Sequence, residues 1–60
     1  MIAISDIFPG GIFYDDMVGL VEVTKVEEEV VIYESIQEPG IGGITLSFAA
    51  EKWVKEADAG

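Results

Sequence analysis

Two β-branched runs with a charged triplet between them dominate the hydrophobic pattern of the chain. The runs are Leu20–Val26 and Val30–Ile36, and Glu27–Glu29 separates them. Valine, isoleucine, threonine and tyrosine favour a pleated, half-buried strand, whereas adjacent charges favour a turn in water. The pattern therefore predicts an antiparallel hairpin with an acidic tip, and we expect the rest of the chain to pack around it.

The register of this hairpin can be predicted from the charges that it would bring together. A three-residue loop over Glu27–Glu29 would place Glu22 opposite Glu34, and like charges directly opposite each other are unfavourable. A loop of two or four residues avoids this contact and pairs Val23 with Ile32. Because a two-residue Glu-Glu loop lacks the Gly or Asn that a type I′ turn favours, we expect four residues.

That register sorts the side chains of the hairpin into two faces. The first face is apolar and is predicted to form the core: Val21, Val23, Val30 and Ile32. The second face is mixed: Leu20, Glu22, Thr24, Val31, Tyr33 and Ser35. Its apolar members must be covered by the termini or a helix, or else form an exposed patch, so this face is the predicted working surface.

Shorter alternating segments predict the other strands. They are Met1–Ile4, Gly11–Tyr14 and Ile44–Phe48. Residues that favour turns lie between them, and the connections are predicted at Pro9-Gly10-Gly11, Asp15–Gly19 and Gln37–Gly43.

The hydrophobic period changes near the C-terminus from that of a strand to that of a helix. Ser47 is a suitable N-cap residue. Glu51 and Lys55 are four residues apart, in the order that stabilises a helix. We therefore expect one terminal helix of about two to three turns. Its apolar stripe would hold the tryptophan against the sheet: Ala49, Ala50, Trp53, Val54 and Ala57.

These elements predict a mainly β fold in a single domain over residues 1–60. Four or five antiparallel strands would curl into a small barrel or folded sheet with one C-terminal helix. The alternative is an open sheet of three or four strands with the helix on one face, as a homodimer. For so short a chain, apolar burial and lost conformational entropy nearly cancel, so a dimer or a partner would add useful burial.

Charge restricts the classes of partner. The chain has 12 Asp and Glu residues against 3 Lys and no Arg, for a net charge of −9. Such a surface repels nucleic acid and anionic lipid and attracts a basic protein, although acidity also simply keeps a small apolar domain in solution. No apolar run approaches the ~20 residues of a membrane span. The start lacks the basic region of a secretory signal, so we expect a cytoplasmic protein.

Residues that carry chemistry are mostly missing. Without His or Cys, the chain has no Ser-His-Asp or Cys-His system and no typical zinc site. Without Arg, it cannot form a bidentate clamp on phosphate. We therefore expect no catalytic residue, cofactor or metal, and no enzyme. The acids of Asp15-Asp16 and Glu27–Glu29 are predicted to be solvated turn residues, and the pairs Gly10-Gly11 and Gly42-Gly43 to serve turns.

The aromatic residues divide into core and surface candidates. Core packing is predicted for Phe8, Phe13, Phe48 and Trp53. Tyr14 and Tyr33 lie next to acids, which is typical of anchors in protein interfaces.

The acidic residues and these two tyrosines define the predicted partner-binding surface. A negative stripe could imitate a phosphate backbone and occupy the basic groove of a nucleic-acid-binding protein, as an inhibitor or DNA mimic of the phage or mobile-element type. The alternative is a structural or assembly protein that self-associates through the apolar part of the Val31 and Tyr33 face. The predicted partner-binding residues are Tyr14, Asp15, Asp16, Glu22, Glu27, Glu28, Glu29, Tyr33 and Glu34.

Three segments together resemble a small SH3-like barrel. They are PGGIFYDD, GLVEVTKVEEEVVIYES and ITLSFAAEKWVKE. This arrangement is similar to uncharacterised bacterial and phage proteins of the DUF1653 kind, and the resemblance implies a binding or regulatory module rather than an enzyme. The chain lacks the basic and histidine residues of that pattern, so no functional residue is transferred from it.

Overall fold

A computed structural model describes residues 2–38 and 40–56, which form one antiparallel sheet and one short helix. The strands lie in the order β4-β3-β2-β1-β5. This confirms the predicted mainly β fold with one helix in the C-terminal part of the chain. The elements are a 3₁₀ turn at Ile4–Asp6, β1 at Ile12–Asp15, β2 at Gly19–Glu27, β3 at Val30–Ser35, β4 at Ile41–Thr45, α1 at Leu46–Lys52 and β5 at Val54–Lys55.

The β2–β3 hairpin forms, but its predicted register is wrong. Glu27 pairs with Val30, so the loop is the two residues Glu28 and Glu29. Glu28 takes the left-handed backbone conformation, with φ of 51°. A non-glycine residue there costs about 1–2 kcal/mol. The side chains of this turn are exposed and form no packed structure, so the strands on either side decide the register.

A β-bulge in β2 explains why no single register fits the whole hairpin. The pairing shifts by one residue between Val23 and Lys25. Beyond the bulge, Val23 pairs with Tyr33 rather than with Ile32. An extra residue in one strand reverses which of its side chains face the core from that point on.

The bulge also determines which residues form the core. Val21 and Val23 are fully buried as predicted, but the fully buried valine on β3 is Val31, which pairs with Val26. The predicted core positions on β3 are wrong: Ile32 is only partly buried, and Val30 is 42% exposed. The apolar face of Val31 is therefore interior, not an exposed patch.

Trp53 lies at the centre of the core. Its ring stacks on Phe13, with 5.6 Å between centroids, and lies perpendicular to the ring of Tyr33, with 5.3 Å between centroids. Core packing is confirmed for these two predicted members, Phe13 and Trp53, and is wrong for Phe8 and Phe48, which are both more than half exposed. The buried apolar side chains among the described residues are Ile7, Phe13, Val21, Val23, Val31, Ala49, Ala50 and Trp53.

The helix has seven residues, about the two turns at the lower end of the prediction, but it begins and ends earlier in the sequence than predicted. Thr45, not Ser47, is the N-cap, and its hydroxyl oxygen accepts a hydrogen bond from the Phe48 N–H at 3.4 Å. Two buried alanines direct one side of α1 inward, which leaves Phe48 on the opposite side in solvent. The strand predicted at Ile44–Phe48 is therefore wrong in its second half.

After the helix the chain returns to the sheet. Val54 pairs with Tyr14 on β1, so Val54 and Lys55 do not continue the helix. Lys55 forms an ion pair with Asp6 at 3.4 Å instead of the predicted helical pair with Glu51. The predicted helical position Ala57 lies outside the described residues.

The other predicted elements divide between confirmed and wrong. The connection at Gln37–Gly43 is wrong from Ile41 onward, because β4 begins there and Gly42 and Gly43 lie in a strand rather than a turn. The strand at Gly11–Tyr14 and the turn at Asp15–Gly19 are confirmed within a residue. The strand at Met1–Ile4 is wrong for the part that is described, since Ile2 and Ala3 lie in no strand and a 3₁₀ turn begins at Ile4. Within residues 2–38 and 40–56, no helix is long and apolar enough to cross a membrane.

Candidate protein-binding surface

The outer face of the sheet collects part of the predicted surface. On β1 and β2 the buried Phe13 and Val21 point to the core, and side chains alternate along a strand. Their neighbours therefore face outward, and the pairing aligns Tyr14 with Leu20 and Ile12 with Glu22. One strand further, Glu22 lies opposite Glu34. We define the outer patch as Tyr14, Leu20, Glu22, Glu34 and Ile36.

The centre of the outer patch is a pair of like charges. Glu22 and Glu34 are direct cross-strand partners and both are exposed. Like charges directly opposite each other destabilise a sheet. The register predicted from the sequence avoids this contact between Glu22 and Glu34, but the bulge in β2 places the two residues opposite each other.

No cation of the described chain neutralises this pair. The three lysines form ion pairs elsewhere, with Glu27, with Asp15 and Asp16, and with Asp6. Across residues 2–38 and 40–56, neither Glu22 nor Glu34 takes part in an ion pair. Two carboxylates are thus left open to solvent in the middle of a sheet face.

Apolar side chains border the two acids. Tyr14 is 39% exposed and Ile36 is half exposed, while Leu20 is partly buried between them. The Ile36 N–H donates a 2.9 Å hydrogen bond to the Leu20 carbonyl, which holds the end of β3 against β2. The sequence reasoning missed Ile36, although it alternates with Glu34 at the end of a β-branched run.

The acidic hairpin tip is a separate surface. Six residues of extended strand place Glu28 about 20 Å from Glu22. Glu27, Glu28 and Glu29 are all exposed. The Glu27 carboxylate forms an ion pair with the Lys25 ammonium group at 2.7 Å. Glu28 and Glu29 are therefore solvated turn residues, as predicted, whereas Glu27 is the exposed last residue of β2, and the tip does not join the outer patch.

Asp15 is not a solvated turn residue, which corrects the prediction for it. It is 2% exposed and faces the core. One carboxylate oxygen accepts hydrogen bonds from the N–H groups of Met17 at 2.8 Å and Val18 at 3.2 Å. The other accepts one from the Trp53 indole N–H at 2.9 Å. Asp15 therefore builds the β1–β2 turn and cannot contact a partner.

The environment of Asp15 favours its charged form. Burial alone would raise the pKa of the Asp15 carboxyl, but hydrogen bonds from Met17, Trp53 and Val18 and the positive charge of Lys52 outweigh it, so the pKa lies below its usual value. The Lys52 ammonium lies 3.4 Å from Asp15 and 3.8 Å from Asp16. Asp16 itself is exposed at the turn.

Tyr33 is also placed differently from the prediction. It faces inward beside Trp53 and covers Gly42 on the neighbouring strand. Its inward direction follows from the bulge, which pairs it with the buried Val23. Of the nine predicted residues, the outer face therefore brings together three, namely Tyr14, Glu22 and Glu34.

Neither metal chemistry nor a known family adds to this surface. In the described ranges, no group of three or more His, Cys, Asp or Glu side chains could hold a metal ion. No family model matches the chain. No curated protein and no solved structure matches it either. The resemblance to the DUF1653 kind thus finds no support, and what is shown is a small five-stranded antiparallel sheet with one short helix.

Proposed function

We propose that this chain is a non-enzymatic acidic module that binds a basic surface of a partner protein through the outer patch. The observation that carries the proposal is the exposed, unneutralised pair of Glu22 and Glu34. A partner Lys or Arg placed between two opposed carboxylates turns one repulsion into two charge-assisted hydrogen bonds. The pair that costs stability in the free protein thereby contributes to binding.

The neighbouring side chains supply the other parts of an interface. Tyrosine is enriched in interface centres because it offers a large apolar area and one polar group, and Tyr14 lies diagonally across from Glu22. Ile36 and Leu20 add apolar contact beside the acids. The net charge of −9 favours encounter with a basic protein and disfavours direct contact with nucleic acid or an anionic membrane.

The partner class that fits best is a protein with a basic groove. A groove that normally holds a phosphate backbone presents lysines and arginines to a negative surface. The chain would then act as an inhibitor or DNA mimic of the phage or mobile-element type, in the cytoplasm. The order of strands, with a helix before the short last strand, is compatible with the SH3-like barrel that the sequence resembles.

A structural protein that self-associates through an apolar sheet face is the other class of function. The face expected to serve it contains Val31, which is fully buried, and Tyr33, which packs on Trp53. Self-association would therefore need a different surface, and the inner face of the sheet offers it no support.

Capture from a cell lysate by three versions of the chain tests the proposal. The outer-patch variant carries Glu22→Gln and Glu34→Gln, and the tip variant carries Glu28→Gln and Glu29→Gln, so both lose the same amount of charge. We expect the wild type and the tip variant to capture the same basic protein, and the outer-patch variant to lose it. Equal loss in both variants would mean that net charge alone acts, and the proposed site would be wrong.

A further inference from the structure

Among the residues that the structure describes, β4 has a neighbouring strand on one side only. It is the last strand of the sheet on the β3 side. The Gly40 carbonyl and the Leu46 N–H form hydrogen bonds with Ser35 and Glu29. Because such bonds alternate along an antiparallel pair, Gly42 and Ile44 bond to β3 in the same way. The N–H and C=O groups of Ile41 and Gly43 then point away from β3.

This edge carries none of the usual protection. Natural sheets shield an edge strand with charged side chains, proline or a bulge, or keep it very short. From Gly40 to Ala50 the chain has no charged residue. Ile41 is 77% exposed and Gly43 is exposed as well. The opposite edge, β5, is protected: it has only two residues, and one of them is Lys55.

The surroundings of the edge are negative at both ends. Glu38 precedes β4 in the sequence. At the other end of β4, the Glu29 carbonyl accepts a hydrogen bond from the Leu46 N–H. Glu34 lies on the adjacent strand, paired with Ile41. The three lysines form their ion pairs away from β4. An added segment with basic ends would therefore be attracted, whereas a second copy of this chain would repeat the same negative charges.

A groove beside the start of β4 offers a place for one basic side chain. It is formed by the β1–β2 turn and the first residues of β4, and Glu38 is its charged member. The Tyr33 ring covers Gly42 there, and within the described residues its hydroxyl makes no hydrogen bond. The lining residues that matter are Val18, Tyr33, Glu38 and Ile41. An ammonium or guanidinium group in this groove would meet a carboxylate and a free hydroxyl.

We propose that β4 binds an extended segment of the partner protein as an added strand, with a Lys or Arg of that segment beside Glu38. The N–H and C=O groups of Ile41 and Gly43 supply the main-chain hydrogen bonds, and Ile41 supplies apolar contact. This inference rests on the proposed function, in that the partner is basic, and adds a binding mode that does not use the outer patch.

Amide hydrogen exchange measured by NMR on the full chain tests the added strand. The probe is the blocked peptide Lys-Val-Thr-Val-Thr-Val-Lys, and its control has glutamate at both ends. With the lysine peptide in excess, we expect the Ile41 and Gly43 amides to exchange about tenfold more slowly, since each gains a hydrogen bond. The Gly42 and Ile44 amides, already bonded to β3, should change little. The glutamate peptide should protect none of them.

Two substitutions at Gly43 separate loss of the hydrogen bond from loss of the fold. Gly43→Pro removes the outward N–H, and we expect the lysine peptide to bind about tenfold more weakly. Gly43→Ala keeps the N–H, and its added Cβ would lie 3.4 Å from the Ile32 side chain and 3.9 Å from the Val31 carbonyl oxygen, both ordinary contacts. It should bind like the wild type. If Gly43→Pro fails to fold, the exchange rates of the Ile41 and Gly43 amides in the wild type still decide the matter.

The outcomes distinguish this inference from the proposed function. Absence of lysine-peptide binding, or binding that leaves the Ile41 and Gly43 amides unprotected, overturns the added strand. If the outer-patch variant no longer binds the lysine peptide, the peptide uses the outer patch rather than β4. The proposed function then stands without the added strand. Protection that appears without peptide and grows with protein concentration would assign the edge to a second copy and would also overturn the inference. Failure of the lysate experiment alone would refute the outer patch and leave β4 unaffected.

Discussion

The indole N–H of Trp53 donates a 2.9 Å hydrogen bond to the carboxylate of Asp15, 38 residues away in the sequence. Both side chains are almost completely buried. The bond joins the β1–β2 turn to the residue at which the chain leaves α1 and enters β5. A buried carboxylate with a neighbouring Lys52 thus holds the tryptophan at the centre of the core.

Replacing Asp15 should destabilise the fold strongly. In Asp15→Asn one side of the group changes from an acceptor to an NH₂ donor, which then faces either the Trp53 N–H or the turn amides. Hydrogen bonds to charged groups contribute about 1.5–3 kcal/mol, and we expect a loss of that size in the free energy of unfolding. Urea denaturation followed by tryptophan fluorescence measures it.

Asp16→Asn is the matched control for this prediction. Asp16 is the exposed neighbour of Asp15 and contributes one long contact to Lys52, so the free energy of unfolding should change by less than about 0.5 kcal/mol. Equal effects of the two substitutions would show that the Asp15–Trp53 bond does not hold the core together.

The same carboxylate predicts sensitivity to acid. The pKa of Asp15 is lower in the folded chain than in the unfolded chain, where it is about 3.9. Between these two values the unfolded state binds more protons, so stability rises with pH there. The contribution of Asp15 is complete above the unfolded pKa and is lost as the pH falls through the folded pKa. Unfolding measured from neutral pH downward should show wild type and Asp15→Asn converging in acid, and a constant difference would contradict the assignment.

The burial of Asp15 illustrates what the sequence pattern leaves undetermined. Strand alternation predicts that Phe13 faces the core, and the structure agrees. The same alternation directs Asp15 inward, but an acid next to Asp16 in a segment that ends at Gly19 is also typical of a solvated turn. The difference depends on Trp53, which reaches Asp15 only through tertiary structure. A local pattern cannot identify a partner that is distant in sequence.

A side chain at Gly42 should destabilise the fold, because Tyr33 occupies the space beside this glycine. An added Cβ would lie 2.5 Å from the Tyr33 Cζ atom, so the ring must move and its edge contact with Trp53 at 5.3 Å is disturbed. Aromatic pairs contribute about 0.5–1.5 kcal/mol beyond their burial, and we expect Gly42→Ala to lose about 1–2 kcal/mol of stability. Gly43→Ala, next to it, should lose much less. Similar urea midpoints for the two would refute the packing of Tyr33 on this glycine.

The hairpin shows the other limit of sequence reasoning. Its existence, its strands and its acidic tip are predictable from two β-branched runs around three glutamates. The bulge between Val23 and Lys25 is not, because Thr24 carries no signal for an extra residue. One inserted residue exchanges the faces of β3, and the exchange moves Val31 and Tyr33 inward. It also brings Glu22 and Glu34 opposite each other. Cross-strand pairing preferences do not predict this contact, because like charges repel.

Removing either member of this like-charge pair should stabilise the free protein. Glu22→Lys converts a repulsion with Glu34 into an attraction across the strands, and we expect a gain of about 0.5 kcal/mol that diminishes as salt is added. Glu27→Lys serves as the control, because it changes the same charge but breaks the ion pair with Lys25. Thermal unfolding at low and high salt measures both. A loss of stability in Glu22→Lys would show that Glu22 and Glu34 do not repel each other in the fold.

The central claim is that this destabilising pair serves a basic partner. Its most direct test is the affinity of the captured partner, once purified, for the wild type and for the outer-patch variant at ~0.05 M and ~0.2 M salt. We predict that the wild type binds about tenfold more tightly than the variant at low salt, and that this advantage shrinks at the higher salt. Equal affinity of the two proteins at low salt would contradict the claim.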